Sequence, residues 1–511
     1  MSLRVLPAEL ICSILDELPV RELVGVMQVC RLFRDTIKSS TGLMYKIELM
    51  LATMEDVSLN ITNKAAKREL LQRYRKAWSA SPWKASSRKV VRLMDGPLWE
   101  LCGGIFVQST GRRELTFTQL PSQIRGMTER EWKVKVPFDI ADFCIDPSLN
   151  LIAAIEDKNG HGRLHLLTMF SGEKHICAEK SVVKLPLPPV GNTSYNIRIS
   201  GELVAILTRT WSFGSTQWVT KFVVFHWTLA KQKLSKTELG DDLNLFSFAF
   251  LDGRHIAVAH GDRTIPQGEL VAALTIIDIS SRIREDQRVA RKVTLYFPSF
   301  KSGWSLENIE VACDPAPCYS ASPMFNPPFQ VARLERIVSV KLFSVDPQWE
   351  SEDAQQVLVP AHTLISLVRS GESTSNGGVP WHEWGPRKTR MLRAAALPNL
   401  AWCYPVYGTK CVGREQGKVV IYDFNQLAVR FAAGSPPDSQ SGEIILHSDT
   451  EEPEMFAGTI TTSLPYRKFT SEVPIKRDDS VMINEDSIVV VKVCDLRCLS
   501  TTSIESSMNA L

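Results

Sequence analysis

The sequence predicts a two-part chain, α followed by all-β: short amphipathic helices at the N-terminus, then a large domain built from repeated β blades. Three observations carry that reading. Apolar residues recur at helical spacing through about the first 80 residues. From about residue 95 that periodicity gives way to short β-rich runs set off by Gly, Pro, Asp and Asn. One turn-plus-strand pattern then returns at intervals of about 52 residues, the range of blade-type repeats.

A chain of 511 residues is too long for one ordinary core and fits two or three domains. Hydrophobic residues make up 44% and charged residues 23%, ordinary globular usage. The formal net charge of +3 gives no global argument for nucleic acid or an acidic membrane as partner. No window approaches the roughly 18 consecutive apolar residues that a membrane helix needs, and Pro7 and Glu9 interrupt what apolar run the first residues have, so no signal peptide is expected. The 11 cysteines follow no framework spacing, which predicts reduced thiols and a cytoplasmic or nuclear location. The sequons at Asn60 and Asn192 are read as chance.

Residues 6 to 40 read as three short helices. Leu10, Ile14, Leu15 and Leu18 make one apolar stripe, opened by Pro7, which suits a first turn. Pro19 interrupts that helix and starts the next, whose stripe is Leu23, Val26, Met27 and Cys30; Phe33 and Ile37 extend a third. About 40 residues cannot bury three such stripes alone, so the module packs against a partner or against the rest of the chain.

The run Leu6-Pro7-x-Glu9-Leu10-x-x-x-Ile14-Leu15-x-x-Leu18-Pro19, followed by Leu23 and by Val29-Cys30-Arg31-x-Phe33-Arg34-x-x-Ile37, resembles the F-box. Gly25 and the turn Val20-Arg21-Glu22 depart from the usual pattern without removing an apolar contact position. The resemblance implies a Skp-type adaptor as partner and, through it, a cullin. It also implies that Leu6, Pro7, Leu10, Ile14 and Leu15 face the adaptor, with Leu18, Pro19, Leu23, Val29 and Cys30 in or beside the interface. The alternative is a helical cap on the downstream domain.

Residues 43 to 78 continue as helix, with Tyr45 to Leu51 apolar on one side and Ala65 to Trp78 presenting a basic face; Thr62 or Asn63 could cap the second helix. The basic face is read as solvated. The expected division is 1–42 F-box, 43–94 helical linker and 95–511 substrate-binding β domain.

In the β domain, Phe143 to Ile155, Ile199 to Leu207 and Phe250 to Ala259 each consist of an apolar residue, a polar turn and a strand of small aliphatics. A second strand follows each, at 164–168, 222–227 and 275–279; later candidates are 338–343, 418–424 and 483–491, and 104–108 with 114–119 could start a ring. The pattern resembles a degenerate WD-repeat-type β-propeller of six to eight blades, in which the small-aliphatic strand is expected to crowd the axis; a β-sandwich array is the alternative. With Pro137 to Pro147 included, most of the chain resembles a large group of fungal F-box proteins, a wider resemblance that names no substrate.

Residues 313–329, 346–360, 371–389 and 434–442 read as loops. Trp381, His382 and Trp384 in the third form a candidate substrate-contact patch, the alternative being that both indoles tuck into the ring. No phosphate loop, nucleophile elbow or His-Glu-x-x-His run is present. His161, His165, His175 and Cys177 match no structural zinc spacing, Cys494 and Cys498 lack redox spacing, and the pairs Asp241-Asp242 and Asp478-Asp479 read as solvated turns. No cofactor, metal or catalytic residue is expected. The resemblance implies a non-catalytic substrate receptor of an SCF-type ubiquitin ligase for ubiquitin-dependent degradation, holding an unidentified protein substrate. The alternatives are an adaptor-bound protein outside a ligase and a propeller enzyme with a helical cap.

Overall fold

The computed structural model describes residues 6–57, 63–79, 87–92, 96–122, 125–158, 161–185, 192–212, 217–235, 243–262, 271–279, 292–318, 327–370, 378–394, 405–434, 442–476, 479–492 and 503–508. Thr62, the Asn60 sequon, Asp241-Asp242, Asp478, Cys494 and Cys498 lie outside the described residues.

Five helices lead. They are α1 (Ala8–Asp16), α2 (Val20–Val29), α3 (Arg31–Ser39), α4 (Thr41–Leu51) and α5 (Lys64–Ser79). Pro7 and Pro19 occupy the cap positions of α1 and α2, and the extended backbone of Cys30 separates α2 from α3. Asn63 caps α5 by accepting from the backbone N–H groups of Ala65 and Ala66 at 2.9 and 3.3 Å. Ile11, Leu15, Leu23, Ile37, Leu43 and Ile47 close into one small core. Ile11, outside the expected α1 stripe, fills that core, while Leu10 and Ile14 turn to solvent.

Among the described residues, the rest is chiefly a β-propeller-like ring of antiparallel sheets, six of them four-stranded and one five-stranded. The first blade is Trp99–Cys102, Ile105–Thr110, Glu114–Gln119 and Arg130–Lys135; the second is Ile140–Asp146, Leu151–Lys158, His161–Thr168 and Val182–Leu185. The third is Asn192–Ser200, Leu203–Ser212, Gln217–His226 and Lys231–Ser235; the fourth is Asn244–Phe250, His255–Asp262, Val271–Asp278 and Lys292–Tyr296. The fifth is Ser305–Ala312, Ile337–Val345, Glu352–Pro360 and Arg390–Arg393, with helices α6 (Ala361–Arg369) and α7 (Trp381–Trp384) between its last two strands. The five-stranded sheet follows, ordered Val406–Tyr407, Lys410–Glu415, Lys418–Asp423, Tyr466–Pro474 and Glu443–Ile445, with α8 (Gln426–Ala433) inserted. The last blade joins Ser480–Ile483, Ser487–Lys492 and Ser503–Met508 to Ser87–Arg92, so strands from both ends of the described chain share one sheet.

Apolar layers between successive sheets hold the ring. Ile145 and Ile152 pack on Val107 and Phe117. Leu151 and Leu164 meet Ile197 and Val204, Ala205 and Val224 meet Phe248 and Val258, and Leu274 and Ile276 meet Ile309 and Val340. Ile337 and Leu358 meet Val420 and Tyr422, Val419 and Ile421 meet Ile483 and Val490, and Met482 and Val489 return to Leu101 and Phe106.

The three similar segments are the first hairpins of the second, third and fourth blades. Two of their turns are held by an aspartate side chain. Asp146 accepts from the Ser148 N–H at 2.9 Å, and Asp252 accepts from the Arg254 and His255 N–H groups at 2.7 Å. The small-aliphatic strand is the second of each blade, not the innermost. Ala153, Ala205 and Ala257 are small because neighbouring blades press on both faces of that strand, and the axis is lined by the strand before the turn.

Glu352–Pro360 corrects the expected loop at 346–360. Its polar residues pair inside the fold: Asp353 accepts from the Met455 N–H at 3.1 Å, and Gln356 donates to the Ser339 hydroxyl at 2.7 Å. The expected loop at 313–329 contributes Phe329, which opens the short strand Phe329–Val331 paired with Met54–Asp56 of the helical region.

Helices α4 and α5 are fastened to the ring. Tyr45, Leu49, Leu71, Tyr74 and Trp78 share a core with Phe329, Val331, Tyr407, Val412 and Ile421. Arg68 and Gln72 donate to Glu48 at 2.9–3.1 Å, Lys67 pairs with Asp56 at 2.6 Å, and the Asn425 amide donates to the Leu51 carbonyl at 2.8 Å. The basic face of α5 is thus partly consumed by these pairs.

Candidate functional site

Helices α1 to α3 leave an apolar surface without a partner. Val29 is 71% exposed, Leu10 51%, Ile14 49% and Leu32 40%. Pro7 and Pro19 are exposed beside them, and Leu6, Leu18 and Cys30 are half-buried. Leu15 and Leu23 turn inward, at 3% and 0% exposure, and support the module from inside. Leu32 was not singled out in the sequence; it follows the extended Cys30 by two residues, in the first turn of α3. Exposed aliphatics grouped on so small a module mark an interaction surface.

Trp381, His382 and Trp384 form α7, and only His382 presents itself to solvent. The Trp384 indole N–H donates to the Tyr296 carbonyl at 2.9 Å and its ring stands edge-on to Phe297; Trp381 stacks on Phe297 and meets Trp384 at 5.1 Å. The two indoles staple the fourth and fifth blades, so the expected recognition patch reduces to His382 beside Glu383.

The C-terminal ends of the innermost strands converge on a cavity of about 60 Å³ on the ring axis, where Glu100, Arg198, Asp314 and Glu485 meet Cys102, Cys144 and Cys313. This convergence is not written in any contiguous stretch, because its residues come from five different blades. The volume holds one or two waters, far below the roughly 300 Å³ at which small-molecule pockets begin. Burial pushes all three thiols up, so they are protonated and poor nucleophiles. Among the described residues no group of three or more His, Cys, Asp or Glu is placed to hold a metal ion. His165 bonds Glu156 at 2.9 Å, and His175 bonds the Leu149 carbonyl at 2.9 Å.

Burial raises Asp142, on an innermost strand, from 3.8 to about 7, with Arg198 opposing the shift. A carboxyl whose folded pKa lies above its unfolded value is neutral in the fold and costs stability as pH rises between the two. Asp142→Asn is therefore expected to match wild type near pH 4 and to gain on it steadily up to about pH 7, with a constant advantage above. Thermal melts of both proteins across that range check this; an advantage that shrinks as pH rises contradicts it.

Arg254 pairs with Asp278 at 3.3 Å, Arg333 lies 3.8 Å from Glu55 and Arg414 donates to the Lys476 carbonyl, whereas Arg198 lines the axial cavity. A different arginine, Arg209, stands with Trp211 and Trp218 on the third blade. The alternation Arg209-Thr210-Trp211 across from Gln217-Trp218 was a legible signal, since alternate residues of a hairpin share one face.

Residues 3–49 match the F-box-like family model. No curated protein matches the chain. Among solved structures, hydrazine synthase of Kuenenia stuttgartiensis is 12% identical with a TM-score of 0.36, over 62% of this chain and 79% of that one. Extracellular domains 1-2 of Drosophila semaphorin 1b are 8% identical with a TM-score of 0.35, over 84% and 87%. A Synechocystis apocarotenoid oxygenase is 10% identical with a TM-score of 0.27, over 51% of this chain and 56% of that one. Likenesses this distant bear on no function.

Proposed function

We propose, from an F-box-like module at residues 3–49 carried on a β-propeller-like ring, that this chain is the substrate receptor of an SCF-type ubiquitin ligase. F-box domains bind Skp-type adaptors. The observation that carries the reading is the exposure of Leu10 and Ile14 on α1 and of Val29 and Leu32 at the α2–α3 junction of that module. Buried in an interface, such aliphatics supply the apolar anchors of a stable complex. The anchoring of α4 and α5 on the ring supports the second half of the reading, because a fixed spacer holds captured substrate at a set distance from the ligase.

The adaptor and, through it, a cullin are the partners, an unidentified protein is the substrate, and the setting is cytoplasm or nucleus. The chain's contribution is proximity, raising the local concentration of substrate lysines near the charged conjugating enzyme, with catalysis left to other subunits. Protonated buried thiols and a water-sized axial cavity fit a binding role.

Co-expression with a Skp-type adaptor and a cullin tests this. A three-component complex on gel filtration supports the ligase reading. A two-component complex that excludes the cullin points to adaptor-bound function outside a ligase, and no complex removes the reading.

A further inference from the structure

Arg209 is held in an unusual way. Its guanidinium carbon lies 4.8 Å from the ring centre of Trp218 and 4.6 Å from that of Phe246, on the innermost strand of the fourth blade. Both rings lie against the guanidinium. The N–H bonds lie in its plane, and there the supply of acceptors is poor: Nη1 reaches Asn308 Oδ1 at 3.5 Å, and buried Nε has no partner. Burial pulls the group down to about 10, so it is still charged at neutral pH and short of hydration. A charged donor edge left this way is costly unless something accepts from it.

The surroundings are built for contact. Trp211 and Trp218 sit directly opposite each other across the hairpin, rings 5.2 Å apart, and Trp218 is 44% exposed. The corner also lies at the end of the ring remote from the helices. Asn308 belongs to Ser305–Ala312, which runs on to Cys313 and Asp314 at the axial cavity, where Tyr407 joins the α5 core. Five residues of extended chain separate the two ends, about 17 Å.

Resting on the receptor reading, we propose that the Arg209–Trp218 corner is a subsite for a carboxylate of the captured polypeptide. The Nη2 edge of the guanidinium, which is neither bonded nor buried, grips the carboxylate, and the Trp211–Trp218 pair covers an apolar neighbour. A carboxylate suits the site better than a phosphate. One guanidinium edge offers donors in the fork that a carboxylate matches. The negative charge of Glu307 acts on the same group, which disfavours a ligand carrying nearly two charges. Arg254, Arg333 and Arg414 are engaged elsewhere.

The test uses the full chain and an immobilised library of random octapeptides, prepared once with amidated and once with free C-termini. Wild type is expected to enrich Asp or Glu at one position of the amidated set, or the free chain end in the other set, by at least about tenfold. Arg209→Met, which keeps packing between the two rings, is expected to lose that preference and to melt no lower than wild type; Arg209→Lys keeps a weakened preference. No acid selection by wild type, undiminished acid selection by Arg209→Met, or tighter binding when phosphoserine replaces the selected acid overturns the proposal. Adaptor capture is read in parallel. Its loss in wild type with acid selection intact removes the receptor reading alone, and its retention in both proteins without acid selection removes this subsite alone.

Discussion

Replacing Leu10 and Ile14 together by aspartate is expected to weaken capture of a Skp-type adaptor at least about 100-fold, while the melting temperature stays within about 2 °C of wild type. Both side chains are about half exposed, so the charges cost the free protein little. In the complex the same positions would be desolvated, and two unpaired carboxylates would be buried among apolar groups. Leu15→Asp behaves differently. Leu15 is 3% exposed in the core with Ile11, Leu23 and Ile37, so the substitution unfolds the module and loses the adaptor by collapse. Binding by surface plasmon resonance, with circular dichroism on the same samples, separates the two. Full-strength binding by the Leu10/Ile14 variant would remove this face from the interface.

Tyr74→Ala is expected to cost about 3–5 kcal/mol and to loosen the helices from the ring. Tyr74 is 5% exposed, edge-on to Trp78 at 6.2 Å and to Phe329 at 5.6 Å, and the buried Lys410 ammonium lies 5.8 Å from its ring. Truncation opens a cavity where helix, connecting strand and ring meet. It also strips a buried cation of one of two aromatic faces; the other, Trp78, lies 5.1 Å away. Burial already lowers Lys410, with Asp423 opposing the shift, so Lys410→Met should be far milder. Differential scanning calorimetry checks both. For Tyr74→Ala a lower or split transition is expected; a melt like wild type contradicts the idea that this joint is what fastens the module.

Local signals explain what could be read in one dimension. The F-box pattern and the blade hairpins were legible because each is written in contiguous residues: prolines at helix caps, Asp at tight turns, small aliphatics in strands pressed on both faces. Because Leu10, Ile11, Ile14 and Leu15 are all apolar, the α1 stripe has two readings in one dimension; in the fold Leu10 and Ile14 turn to solvent and Ile11 and Leu15 turn inward. The strand Glu352–Pro360 looked like a loop because its polar residues find partners far away, Asp353 at Met455 and Gln356 at Ser339 and Cys411. The joint at Tyr74 and the axial cluster were illegible for the same reason, drawing residues from separate blades and from the helices. Trp381 and Trp384 stood out by composition, yet Trp384 is buried against Phe297 and Trp381 is half-buried on the same ring.

Hydrogen–deuterium exchange on the full chain, with and without a purified Skp-type adaptor, tests the central claim most directly. The account predicts a stable complex, slowed exchange across α1 to α3, and an unchanged ring. No complex, or protection falling on the blades while α1 to α3 exchange as before, would contradict it.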